Sequence, residues 1–208
     1  MPEIYLSSFN PICSTNAGIK AANTYNLPYF IDGSCRREPD FENEMPCITS
    51  LCRPGFAQKL EINDIVIYVT NRKGVGSRKV VAALKVIRSF STHDEAASWY
   101  SEKQLPNNLI VLGNDPKPIE CTHRNPGSII KKLFSNNELN NLELWDRTYH
   151  YRSRLNPSLK QCEILYLNLK SPLEIIEHKF GRPLVAQNPP KLNDQEIRVF
   201  QELLNIQF

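Results

Sequence analysis

Two β-branched segments joined by a glycine-containing connection constrain the fold of this chain most strongly. Residues 65–70 and 79–89 are rich in valine and isoleucine, which favour extended strands. The connection between them contains Gly74 and Gly76 and shows no apolar periodicity. This pattern predicts a β-hairpin with an extended, basic tip.

Shorter apolar stretches predict further strands, and capping residues mark the helices. Thr92 with Glu95 and Asn193 with Glu196 have the spacing of a capping box, in which side chains and backbone amides bond reciprocally at a helix N-terminus. The sequence predicts strands at residues 3–9, 48–52 and 162–169, and helices at residues 92–102, 128–134, 172–179 and 194–205, the third of them opened by Pro172. This order favours an α+β fold with a curled, mixed sheet over a doubly wound βαβ sheet.

Composition limits the class of protein. The chain has 208 residues, of which 41% are hydrophobic, enough for one compact core. No uninterrupted apolar run exceeds five residues, whereas a membrane-spanning helix needs about 20. Six cysteines are too few for a disulfide scaffold, and the chain does not open with a leader-like segment. We therefore expect a single cytoplasmic domain without membrane contact.

Basic residues are concentrated in the middle of the chain. Residues 72–88 contain six lysines and arginines and no acidic residue, although the net charge of the whole chain is only +3. Such a segment is typical either of a solvated hairpin or of a surface that meets a polyanion. If the partner is a nucleic acid, the candidate phosphate contacts are Lys73, Arg78, Lys79 and Arg124.

Common catalytic and cofactor motifs do not fit. The glycines at 74 and 76 lack the spacing of a phosphate-binding loop, and a strand follows them instead of a helix. His93 and Glu95 give the first half of a zinc-deaminase motif without the paired cysteines. We expect no cofactor and no metal, although Cys47, Cys52, Cys121 and His123 leave a metal site open.

Aromatic and basic residues alternate in residues 145–154. The segment carries Trp145, Tyr149 and Tyr151 between arginines. Aromatic rings stack on bases and guanidinium groups neutralise phosphates, so this composition is typical of nucleic-acid binding. The same rings would also serve to pack one face of a sheet.

Four segments resemble the nucleotide-modification-associated domain family, a group within the PUA, ASCH, EVE and YTH-like superfamily. They are residues 46–54 (PCITSLCRP), 62–70 (INDIVIYVT), 80–86 (VVAALKV) and 180–183 (FGRP). Asn63 and Ile65 stand where the family has glycine and tryptophan. The resemblance implies a PUA/EVE-like mixed β pseudobarrel with peripheral helices and a core at 45–183. It does not account for the irregular insertion at 10–44 or for the C-terminal helix at 193–206.

The family resemblance also implies a pocket for a nucleobase, modified in many cases, and a role beside DNA or RNA modification. Carried over by position, Ser50, Cys52 and Arg53 lie at the pocket mouth and face Thr70, Asn71 and Arg72, with Arg53 on a phosphate. Trp145, Tyr149 and Phe180 are then the candidates for stacking, and His123 for a hydrogen bond to the base edge. The hydroxyls of Ser50 and Thr70 fit turn caps equally well.

The leading hypothesis is a non-catalytic module that binds DNA, RNA or a free modified nucleotide. The alternative is an enzyme, a transferase or hydrolase, that acts on a nucleotide or nucleobase in the same pocket. Convergence of His123 with Glu120 or Cys121 would favour the enzyme. A third possibility is a phage or prokaryotic accessory protein that acts through protein contacts. The sequence predicts no oligomeric state.

Overall fold

The computed structural model describes residues 2–32, 39–41, 43–49, 55–70, 77–105, 157–175 and 188–208. These residues form an α+β fold with a mixed, curled sheet and few helices. The strands are β1 (Ile4–Phe9), β2 (Cys47–Thr49), β3 (Ile65–Thr70), β4 (Arg78–Phe90), β5 (Leu159–Leu167) and β6 (Leu173–Ile175). The helices are α1 (Asn16–Tyr25), α2 (Phe56–Lys59), α3 (His93–Glu102) and α4 (Asp194–Leu204), and a 3-10 turn (Ile12–Ser14) precedes α1.

Strand β4 organises the sheet. The strand order is β1-β3-β4-β5-β2, and β6 also pairs with β4. Strand β1 runs parallel to β3, and the other pairs are antiparallel. The antiparallel β3–β4 pair confirms the predicted hairpin, because β-branched side chains suit a pleated surface. Strand β1 belongs to this sheet as the neighbour of β3, at one end of the strand order. The sheet therefore includes a segment that precedes residue 46, where the resemblance begins.

Strands β5 and β6 lie one after the other along the same edge of β4. Val80 pairs with Val69 of β3 on one side and with Leu173 of β6 on the other. The helix predicted from Pro172 is wrong at residues 173–175, which form this strand. The edge of β4 offers unpaired backbone groups to this segment, and these hydrogen bonds override the local helix signal of a proline in a first turn.

Both faces of the sheet are buried, and each has its own cover. One face packs against α1, α2 and Phe41, and the opposite face packs against α4 through Phe200 and Leu204. Every residue of β3 is therefore buried. A third apolar cluster lies where β2, β4 and β5 meet α3, and its members are Cys47, Phe90, Leu159, Ala96 and Tyr100. This third cluster positions the site described below.

Side-chain caps begin α3 and α4 as the sequence predicts. Asn193 and Glu196 form a complete capping box on α4. On α3, Thr92 Oγ1 accepts a hydrogen bond from the Glu95 amide at 3.1 Å. The Glu95 carboxylate accepts from the Ser91 amide at 2.8 Å instead of the Thr92 amide expected for the box. Among the described helices, none is long and apolar enough to cross a membrane.

The segment at 10–44, expected to be irregular, contains regular structure. Helix α1 begins after Thr15, whose Oγ1 accepts the Gly18 amide at 3.0 Å. A Cβ on Gly18 would lie 1.7 Å from the carbonyl oxygen of Ile12. The close approach of the 3-10 turn to α1 therefore requires glycine inside a helix, where glycine normally lowers helix propensity. Because of Gly18, the local sequence does not predict helix α1.

Candidate functional site

Three of the sequence-predicted site residues lie in the part of the chain that the structure describes: Thr70, Arg78 and Lys79. The others lie outside it, and they are Ser50, Cys52, Arg53, Asn71, Arg72, Lys73, His123, Arg124, Trp145, Tyr149 and Phe180. Of the four candidate metal ligands only Cys47 is described. The described ranges contain no group of three or more histidine, cysteine or acidic residues that could hold a metal.

Thr70 closes the base of the β3–β4 hairpin. Its side chain is fully buried, and its Oγ1 accepts a hydrogen bond from the Lys79 amide at 3.0 Å. This is the turn-capping role that was the alternative to ligand binding. The hydroxyl is thus used within the fold in this structure.

The described cations of the basic segment differ in what they contact. Lys79 Nζ lies 3.3 Å from a Glu174 carboxylate oxygen, and Lys85 Nζ lies 3.0 Å from Glu163. Arg78 is half-buried and pairs with Ile175 across the strands. Cross-strand carboxylates therefore neutralise both lysines, and neither ammonium is free for a phosphate without first breaking an ion pair.

The two strands that precede the predicted pocket mouth end at opposite ends of β4. Thr49, the last residue of β2, pairs with Leu159, which in turn pairs with Phe90. The end of β3 lies instead beside Val80. The ten residue-to-residue steps from Val80 to Phe90 correspond to about 33 Å of strand. The last described residues of β2 and β3, Thr49 and Thr70, therefore lie at different ends of β4, and the predicted mouth residues that follow them lie outside the described residues.

A basic and aromatic pair lies near Phe90, at the end of β4 that is level with the end of β2. Arg88 is exposed, and its guanidinium carbon lies 5.2 Å from the centroid of the Trp99 ring and 6.0 Å from that of Phe90. We call Arg88 and Trp99 the Arg88–Trp99 platform. Within the described ranges, Arg88 forms no ion pair with a carboxylate. It is thus unlike Lys79 and Lys85 of the same segment.

Local structure explains how these two side chains meet. The register of β4 against β5 shifts between Val86 and Arg88, and such a bulge turns the following side chain. Strand β4 also continues past Lys85, where its pairing with β3 ends. Helix α3 then packs back on this extension, and the half-buried Trp99 lies 5.1 Å from the Tyr100 ring and 6.0 Å from Phe90. The indole is held by rings that belong to the core.

A buried amide lies next to the platform. Gln161 of β5 pairs directly with Arg88 on one side and with Cys47 on the other. Its side chain is 1% exposed, and its Nε2 lies 3.1 Å from the sulfur of Met45. Its Oε1 is buried and has no hydrogen-bond partner in the described structure. A thioether is a weak acceptor, so both polar atoms of this amide are poorly satisfied.

The other polar groups at this end have partners. The Tyr100 hydroxyl donates to the Met45 carbonyl at 2.8 Å, and Cys47 Sγ lies 3.0 Å from the same hydroxyl oxygen. On the other face, Lys160 Nζ donates to Ser89 Oγ at 2.7 Å. Burial lowers the pKa of the Lys160 ammonium, while the nearby carboxylates of Glu61 and Asp64 act in the opposite direction. The end of the sheet therefore combines two cations with one exposed aromatic surface.

Sequence reasoning identified only part of this site. Arg88 belongs to the basic segment at residues 72–88, whereas Trp99 and Gln161 are not among the residues that the sequence pattern identifies. The chain matches no protein-family model, no curated protein and no solved structure. The functional conclusion therefore rests on the structure.

Proposed function

We propose that this chain is a non-catalytic module that binds single-stranded nucleic acid. The Arg88–Trp99 platform carries the proposal, because it places on a partly exposed indole an exposed guanidinium that has no carboxylate partner among the described residues. Base stacking on an aromatic side chain is worth about 1–3 kcal/mol, and a guanidinium neutralises the adjoining phosphate. The Trp99 indole would thus contact the base of a nucleotide and the Arg88 guanidinium its phosphate.

Charge pairing in the sheet supports Arg88 as the phosphate contact. Lys79 and Lys85 each have a glutamate partner, so they add little net positive potential at the surface. Arg88 keeps its full charge next to a hydrophobic ring, and guanidinium is more weakly hydrated than ammonium. Binding through Arg88 therefore costs less desolvation and breaks no ion pair within the part of the chain that the structure describes.

The resemblance to nucleotide-modification-associated domains supports a more specific form of the proposal. In that form the fold is a PUA/EVE-like pseudobarrel, the protein is cytoplasmic, and the bound base is a modified base of DNA or RNA. The mixed, curled sheet and peripheral helices are compatible with such a fold. Glu120, Cys121 and His123, on which the enzyme alternative depends, lie outside the described residues.

A salt titration tests the proposal. Fluorescence anisotropy would measure the affinity of a labelled single-stranded oligonucleotide between about 50 and 300 mM salt for the native protein and for Arg88→Ala. We expect the variant to bind more weakly and the slope of log K against log salt to fall by about 0.7, the value for one phosphate on a single strand. Lys85→Ala is the matched control, since Lys85 lies on the same strand but is paired with Glu163.

The comparison of variants decides the outcome. Equal losses in Arg88→Ala and Lys85→Ala would mean that binding follows net charge alone and would contradict the assigned role of the platform. No saturable binding to single-stranded or duplex oligonucleotides, with or without modified bases, would reject the nucleic-acid function. A double variant, Arg53→Ala with Arg72→Ala, tests separately whether the family-based pocket mouth contributes.

A further inference from the structure

The buried amide of Gln161 adds a hydrogen-bonding group to the Arg88–Trp99 platform. Gln161 is the cross-strand partner of Arg88, and directly paired residues hold their Cβ atoms about 5 Å apart on the same face of a sheet. The amide is therefore next to the surface on which a base would stack. Its Oε1 is buried and has no hydrogen-bond partner among the residues described.

The orientation of the amide is set by Met45. Because Nε2 points to the Met45 sulfur and the two polar atoms diverge from one carbon, Oε1 is turned away from Met45. The neighbouring strand on the side away from β2 is β4, which carries Arg88. A buried acceptor without a donor is destabilising, because it has lost its hydrogen bonds to water. A ligand that brings an N–H group to this point would relieve that cost.

We infer that the platform selects a base that carries an exocyclic amino group, which donates a hydrogen bond to Gln161 Oε1. The inference rests on the proposed function and names the class of base that the same site takes. In this structure Oε1 is buried and the Arg88 guanidinium lies on the indole. Binding of a base therefore requires the exposed Arg88 side chain to leave the indole and turn to the phosphate. An arginine rotamer change of this kind is fast and needs no backbone movement.

The class of base follows from complementarity. Adenine, cytosine and guanine each carry an exocyclic amino group, whereas the unsubstituted purine ring has the stacking surface of adenine without that donor. Loss of one hydrogen bond of ordinary strength corresponds to about a 5- to 10-fold change in affinity. An internal water would also satisfy Oε1, but it would give no preference between these bases.

The test compares two oligonucleotides on the native protein and on Gln161→Met. Each oligonucleotide carries a single adenine or a single unsubstituted purine between abasic spacers, so that one base occupies the platform. Native protein is expected to bind the adenine oligonucleotide about 5- to 10-fold more tightly, and Gln161→Met to bind both equally. Methionine nearly matches glutamine in volume and removes the unmet acceptor, so the melting temperature without ligand should hold or rise.

Each result separates this inference from the proposed function. Arg88-dependent binding without preference for adenine in the native protein would overturn the inference and leave the nucleic-acid function in place. A preference that survives in Gln161→Met would overturn it too, as would a marked loss of melting temperature in that variant, which would show that the amide serves the fold. Absence of binding to either oligonucleotide would reject both proposals.

Discussion

Replacing Gly18 by alanine tests whether α1 and the 3-10 turn form one packed unit. Alanine in a helix interior is normally favoured over glycine by about 1 kcal/mol. Here the new Cβ would lie 1.7 Å from the Ile12 carbonyl oxygen, whereas ordinary contacts begin at 3.4 Å. The turn and the helix must separate by about the difference, roughly 1.7 Å, to accommodate the methyl group.

The cost of that separation exceeds the gain in propensity. Overpacking of this kind costs about 1–3 kcal/mol, and weakening the Thr15 cap on the Gly18 amide adds about 0.5–2 kcal/mol. After subtraction of the propensity gain, Gly18→Ala should destabilise the protein by about 0.5–4 kcal/mol. For a chain of this length the melting temperature should fall by about 1–16 °C.

Urea unfolding followed by circular dichroism would measure the change, with Gly55→Ala as the control. Gly55 has φ +84°, and a Cβ there meets nothing within 4 Å, so its replacement costs only backbone strain of about 1–2 kcal/mol. A Gly18→Ala variant as stable as the native protein would refute the close packing of α1 against the turn.

The remaining predictions concern one buried amine and one backbone conformation. Burial lowers the pKa of Lys160 in the folded state below its ordinary value of 10.5. The unfolded chain then binds more protons in the window just below pH 10.5, so native stability should rise with pH there, and Lys160→Met should lose that rise in urea midpoints measured from pH 7 to 10.5. Asn63 has φ 77°, which glycine adopts freely and alanine does not. Asn63→Ala should therefore lower stability by about 1 kcal/mol, while Asn63→Gly should change it by a few tenths.

Two comparisons decide these predictions. An unchanged pH dependence in Lys160→Met would show that the amine does not titrate differently in the folded state. Equal stability of Asn63→Ala and Asn63→Gly would mean that the backbone relaxes at this turn, where the Asn63 amide donates to the Val86 carbonyl at 2.8 Å.

Local patterns predicted the elements whose stability is mostly local. The β3–β4 hairpin follows from β-branched residues on both sides of a glycine-containing tip. Helix α4 follows from the Asn193 cap and from apolar residues that include Phe200, spaced to cover one face. These signals lie within a few residues of each other, so no knowledge of the rest of the chain is needed.

Elements that depend on distant contacts were not predictable in this way. Helix α1 contains Gly18 because Ile12 approaches it, and β6 is extended because β4 has an edge to pair with. The parallel pairing of β1 with β3 joins segments about 60 residues apart in sequence. The secondary-structure propensity of a segment does not depend on which distant segments contact it. Tertiary contacts can therefore override that propensity.

The candidate site also combines a feature that is visible in the local sequence with features that depend on distant contacts. Arg88 was identifiable as a cation in an acid-free segment, but its place on Trp99 depends on a β-bulge and on how α3 packs. The unmet oxygen of Gln161 depends on the neighbours of its side chain in three dimensions. Its identity as a glutamine in a strand gives no indication of it.

The way the outer strand of the sheet is covered bears on the order of folding. The Leu6 amide bonds to the Pro190 carbonyl at 3.0 Å, and the Leu192 amide bonds to the Ile4 carbonyl at 2.7 Å, so a late segment pairs with the first strand. The edge of β4 opposite β3 likewise pairs with a later segment, residues 159–175. During synthesis, β1, β3 and β4 emerge long before either edge has its partner. Among the described strands, the nascent sheet thus presents two open edges to other chains until residues 159–175 and 190–192 have left the ribosome.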